Sequence, residues 1–254
     1  MTDCIENTIF LEKLILMKFI KKPLRTPLLS ALIFLSASAS QGAIVITNGS
    51  FETGDFTGWI ATDLGVPFDP LVVEETGTNT NFGGFGATVP GTGVVTPTDG
   101  DFAVNNGFDG GGPGQISVAQ DVGVVSAGDV LEYDFRAGWD LENFNAAVDR
   151  MFGVDIEPAG GGAPLLSFTD ITAPAGTFIN DTGALSASHD LSALAGIDVR
   201  VNFVWNVPEN FTGPANGQLD AVRVVQANVP SGGNTLLMLG GSLLGFGFLR
   251  RLVS

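Results

Sequence analysis

The sequence predicts an all-β fold: an antiparallel jelly-roll β-sandwich flanked by an N-terminal signal helix and a C-terminal transmembrane helix. Three observations carry that expectation. Short runs alternate apolar and polar residues. The cleanest are Leu131, Tyr133, Phe135 and Ala137 against Glu132, Asp134 and Arg136, and Val199, Val201, Phe203, Trp205 and Val207 against Asp198, Arg200, Asn202 and Asn206. A period of two places each set on one face of a strand. Between the runs lie clusters of Gly, Thr, Asn and Asp, the residues of turns, with no helical period. Finally, two apolar segments with basic neighbours, 28–35 and 235–249, stand outside the alternating region.

Residues 1–16 fit no targeting pattern, and Asp3, Glu6 and Glu12 dilute any positive start, so they read as a start-site artefact. From Met17 the order changes. Lys18, Lys21, Lys22 and Arg25 precede the apolar 28–35, and small residues follow from Ser36 to Ser40. That succession is a signal peptide over 17–43, cleaved between Ala39 and Ala43. Cys4, the one cysteine, falls before it. The exported part then has no thiol, and its fold holds without disulfides.

Residues 44–228 form one extracytoplasmic domain, long enough to bury a core. A strand at 44–47 is followed by Asn48-Gly49-Ser50-Phe51-Glu52 and Gly58-Trp59. Here the glycines permit tight turns, while Phe51, Phe56 and Trp59 pin the loop to the core. Further strands are expected at 71–75, 101–105, 115–122, 130–137, 152–156, 165–171, 176–180, 184–191, 199–207 and 218–226. The Gly/Thr/Pro-rich stretch 79–100 reads as a loop. Many short strands separated by turns make an antiparallel sandwich.

The whole chain carries −16. Within 44–228 there is no lysine, and four arginines (Arg136, Arg150, Arg200, Arg223) face about two dozen carboxylates, giving about −20. Such a charge excludes nucleic acid and anionic membrane surfaces as partners. It also leaves no lysine for a phosphate-cradling loop.

Asn48-Gly49-Ser50-Phe51-Glu52 with the following Gly58-Trp59 resembles the opening of galactose-binding-like jelly rolls, including many carbohydrate-binding modules. The resemblance implies a structural Ca2+ bridging the opening segment and the last strand, with Glu52 and Asp220 as its ligands. The usual acidic doublet is here Asp220-Ala221. Hard oxygen ligands from both chain ends would staple a cysteine-free sandwich. The competing reading is that these carboxylates are solvated or hydrogen-bonded.

The tail over 229–254 begins Val229, Pro230, Ser231, Gly232, Gly233, continues through the apolar 235–249, and reaches Arg250 and Arg251. Fifteen helical residues span about 22 Å against a hydrocarbon core of about 30 Å, a marginal membrane helix. The arginine pair orients it with the domain outside the cytoplasm. The pattern resembles PEP-CTERM sorting signals, in the variant that begins Val-Pro-Asp-Ser-Gly, although the acidic residue is missing. The resemblance implies an exosortase-type sorting protease as partner and a transient inner-membrane anchor. Delivery to the cell surface or an extracellular matrix of a Gram-negative bacterium would follow. A permanently retained anchor is the alternative.

A sugar site needs an aromatic face with polar neighbours. Trp59 and Trp205 read as core. Trp139 is expected where a loop begins, beside Asp140 and Asn143. It is the candidate platform for polysaccharide, with a buried loop anchor as the competing reading. No catalytic set is assigned. His189, the one histidine, reads as an exposed strand residue beside Asp190. The expected function is therefore binding or structural and non-enzymatic, with a secreted glycan-active enzyme as the alternative.

Overall fold

The two alternating stripes become central strands of two facing sheets in the computed structural model, which describes residues 44–78, 95–144 and 146–226. One sheet has the order β1 (Ile60–Thr62), β4 (Gly114–Val124), β10 (Asp198–Val207), β6 (Arg150–Pro158), β7 (Leu166–Ala173). The other runs β2 (Pro67–Glu75), β3 (Phe102–Gly110), β11 (Ala215–Gln226), β5 (Asp129–Asp140), and β5 also pairs with β8 (Phe178–Ile179) and β9 (Leu185–Asp190). Every pairing is antiparallel.

Alternation decides which faces meet. Leu131, Tyr133, Phe135 and Ala137 point inward from β5, and Val199, Val201, Phe203, Trp205 and Val207 point inward from β10, all buried. Across the interior, the Tyr133 ring meets Phe203 edge-on at 4.8 Å, and within one sheet Phe152 of β6 stacks on its β10 partner Trp205 at 4.7 Å. Gly217 on β11 makes room for that tryptophan, because a Cβ there would lie 2.4 Å from its Nε1.

The opening motif docks as its aromatics suggest. Phe51 and Trp59 are buried with centroids 5.4 Å apart, and the Trp59 Nε1–H donates to the Asn48 carbonyl at 3.0 Å. Gly49 lies so close to β11 that a Cβ would sit 2.0 Å from the Val222 carbonyl oxygen.

Three local differences from the sequence reading follow from where partners are available. Residues 44–47 are not a strand: Val45 N–H makes one bond to the Val122 carbonyl at 3.1 Å, and β1 takes the edge of the sheet instead. β5 does not stop at Ala137. It continues because Trp139 pairs with Ala215 and Ile179, and because Asp140 N–H donates to the Pro214 carbonyl at 2.9 Å.

His189 is also not an exposed strand residue, its side chain being only 15% exposed. It stacks on Phe168 at 4.1 Å, and its Nε2 lies 3.0 Å from Asp170 Oδ1 and 3.1 Å from the Tyr133 hydroxyl, which itself donates to Asp170 Oδ2. This cluster ties β7 of one sheet to β5 and β9 of the other. Burial and the neighbouring Asp170 carboxylate both push the Tyr133 phenol far above its ordinary range.

Among the described residues no helix is long and apolar enough to cross a membrane. The expected start-site segment, signal peptide, sorting signal and membrane helix, together with 79–94 of the expected loop, lie outside the described residues.

Candidate functional site

Glu52 and Asp220 do act on one segment, from opposite ends. Glu52 Oε1 accepts the Asp101 and Phe102 N–H groups at 2.9 and 3.0 Å. Asp220 Oδ2 accepts Thr98 N–H at 2.7 Å, Asp99 N–H at 2.9 Å and the Thr98 hydroxyl at 3.2 Å, while its Oδ1 accepts Ala221 N–H at 2.6 Å. Burial pushes the Asp220 carboxyl above its usual range despite these donors. Four donors converge on the two oxygens of Asp220, so this donor set does not fit Ca2+, which needs open oxygens. The two acids join the chain ends by holding the N–H groups of 98–102. No group of three or more His, Cys, Asp or Glu is placed to hold a metal among the described residues.

Trp139 belongs to the core. It is 5% exposed, and its Nε1–H donates to the Thr177 hydroxyl at 2.9 Å, so neither ring face is open to a sugar. Asp140 is also buried, and its carboxylate accepts Asn143 N–H at 3.0 Å and the Asn143 side-chain amide at 2.9 and 3.1 Å. Asp140 and Asn143 thus form a turn after β5. The residue this turn presents is Phe144, 40% exposed.

Phe144 borders a cavity of about 190 Å³ together with Phe68 from β2, Asp109 from β3, and Phe211, Gly213 and Pro214 from the β10–β11 loop. Phe211 is 47% exposed and Phe68 is half-buried. At φ 50° Phe211 occupies the left-handed region, which bulky residues rarely adopt. Its N–H donates to the Gly110 carbonyl at 2.8 Å, which ties this part of the loop to the end of β3 beside the cavity. Local backbone strain of this kind persists only where the surroundings over-determine it.

Those surroundings centre on Arg150, which is fully buried. Its Nη1 donates to the Gly213 carbonyl at 2.7 Å, and its Nη2 donates to Asp109 Oδ1 at 3.0 Å and the Thr212 hydroxyl at 3.2 Å. Asp109 Oδ1 also accepts Gly110 N–H at 2.8 Å. One planar fork thereby joins β6, β3 and the loop that carries Phe211, as a guanidinium is shaped to do. Burial raises the Asp109 carboxyl above its ordinary range, outweighing the neighbouring Arg150. Burial likewise lowers Arg150, against the opposing pull of Asp109 and Glu209.

Neither phenylalanine stood out in the sequence, although a signal was there. Glu142-Asn143-Phe144 and Glu209-Asn210-Phe211 are the same tripeptide, each in the connection after a stripe-bearing strand. Chemically the arrangement offers apolar ring faces around a carboxylate already engaged by an arginine. That suits holding a ligand more than moving a proton.

The chain matches no family model and no curated protein. Among solved structures it is similar to a family 61 carbohydrate-binding module in complex with β-1,4-galactotriose, at 13% identity over 72% of this chain and 99% of that one, with a TM-score of 0.41. It is also similar to the family 28 carbohydrate-binding module specific for non-crystalline cellulose (13% identity, 72% and 97% covered, TM-score 0.41). A third likeness is to the K3 adhesin domain of Lys-gingipain from Porphyromonas gingivalis (14% identity, 70% and 96% covered, TM-score 0.41). Likenesses this weak transfer no ligand to this chain.

Proposed function

We propose that this chain is an exported, non-enzymatic surface or extracellular-matrix protein whose sandwich holds a polysaccharide by one sugar ring. The observation that carries the reading is the convergence of Phe68, Phe144 and Phe211 on a cavity braced from beneath by Arg150. A volume of about 190 Å³ is below the roughly 300–1,000 Å³ of sites for drug-sized molecules, and is the scale of one ring rather than an oligomer. The apolar face of a pyranose stacks on the exposed rings while the rest of the polymer stays in solvent. Export and sorting rest on the sequence alone: the signal peptide over 17–43, and the 229–254 tail with its arginine pair, read by an exosortase-type protease after a transient stay in the inner membrane.

The test is glycan binding by the full chain and by Phe144→Ala and Phe211→Ala. Each ring contributes roughly 1 kcal/mol, so each variant binds about fivefold more weakly with an unchanged melting temperature. Unaltered binding in both variants refutes the site. Intact mass of the protein released by the native host tests the route, since loss of residues beyond about 228 is expected and a retained tail contradicts it.

A further inference from the structure

Resting on the reading of this cavity as a sugar site, we infer that the sugar it takes carries a positive charge, as an amino sugar with a free ammonium group does. The first ground is what the lining lacks. Among the described lining residues only Asp109 has a polar side chain, the others being Phe68, Phe144, Phe211, Gly213 and Pro214. The hydroxyls and amide of a neutral or acetylated ring would meet three phenyl rings and few partners. An ammonium group, by contrast, is attracted to the faces of those rings.

The second ground is charge. Arg150 lies within electrostatic range of two carboxylates, Asp109, which lines the cavity, and Glu209, so this one cation is set against two anions.

The third ground is the rest of the domain. Each arginine from 44 to 228 already serves an acid: Arg136 with Asp181, Arg150 with Asp109, Arg200 with Asp121 and Arg223 with Glu132. That stretch has no lysine. An anionic glycan would find no unengaged cation there, whereas a cationic one is drawn in by the field of the whole domain.

The experiment is calorimetric titration of the full chain with three probes of equal length: a glucosamine oligomer, its N-acetylated counterpart and a cellulose oligomer. It is run below the amine's pKa at low and moderate salt, with wild type, Phe144→Ala and Phe211→Ala. The expected result is that the glucosamine oligomer binds about tenfold more tightly than the other two, and that either phenylalanine variant removes this advantage. Added salt should weaken it only in part, because the ring contacts are not screened. Equal binding of all three probes, still lost in the variants, overturns the cation inference and leaves the sugar site standing. Glucosamine binding that the variants do not change, and that salt abolishes, is surface adsorption and overturns it as well. Binding of no probe, or binding of neutral probes indifferent to both variants, overturns the sugar site together with the inference built on it.

Discussion

Arg150→Ala is the most discriminating change to the scaffold of the cavity. The guanidinium is fully buried, makes hydrogen bonds to Asp109, Thr212 and Gly213, and balances a carboxylate that burial has pushed upward. Removing it leaves Asp109 in the interior with backbone N–H partners at Gly110 and Gly213 but no cation, and strands the Gly213 carbonyl. Breaking one side of a buried, hydrogen-bonded ion pair costs about 3–5 kcal/mol, a large share of the roughly 5–15 kcal/mol that holds a domain together. In urea the unfolding midpoint should fall with little change in slope. The double variant Arg150→Leu/Asp109→Leu separates two roles. With both charges gone, stability returns to within about 1 kcal/mol of wild type, since a packed apolar pair often equals a buried ionic one. Glycan binding stays lost, because the 212–213 backbone no longer has the Arg150 bonds that position it between its neighbours. A single variant within about 1 kcal/mol of wild type, or a double variant that binds normally, refutes this account of Arg150.

Gly49→Ala sets a methyl against the Val222 carbonyl at 2.0 Å, so the opening segment must lift from β11. A loss of about 1–3 kcal/mol in chemical denaturation is expected. A chelator should leave the melting temperature unchanged, since the 98–102 segment is held by N–H donors on Glu52 and Asp220, and a clear fall on chelation contradicts that. Asp181 is held below its ordinary pKa chiefly by its hydrogen bond to Arg136. The stability it contributes is full above the unfolded value of about 3.9 and is lost as pH falls through the lower folded value. Asp181→Asn should therefore be weaker than wild type at neutral pH, by no more than about 1 kcal/mol for a partly exposed pair, and the gap should close in acid.

The sheets were legible wherever a strand has one dry and one wet face. The stripes of β5 and β10 land inward residue for residue, because alternation is a local property. Residues 44–47 look just as strand-like by composition, yet pairing needs a neighbour along the whole run, and only Val45 finds one. Trp139 failed for the opposite reason. Asp140, Glu142 and Asn143 after it suggest a loop, while the pairing that keeps β5 going comes from Ala215, 76 positions away. The cavity is a meeting of loops, which no periodicity describes. Its brace is a lone arginine that looked no different from the other three. What the sequence did offer was the doubled Glu-Asn-Phe, a hint that two distant connections present the same kind of ring.

Arg150 grips the main-chain oxygen of Gly213 and a hydroxyl at Thr212, so its hold on this loop is independent of the side chain at position 211. The hold on the loop and the ring that the loop carries at position 211 are therefore separable. Exchanging residues 144 and 211 for other ring-bearing side chains should retune which polymer is grasped without loosening the frame, making this end of the sandwich a natural cassette for grafting new specificities.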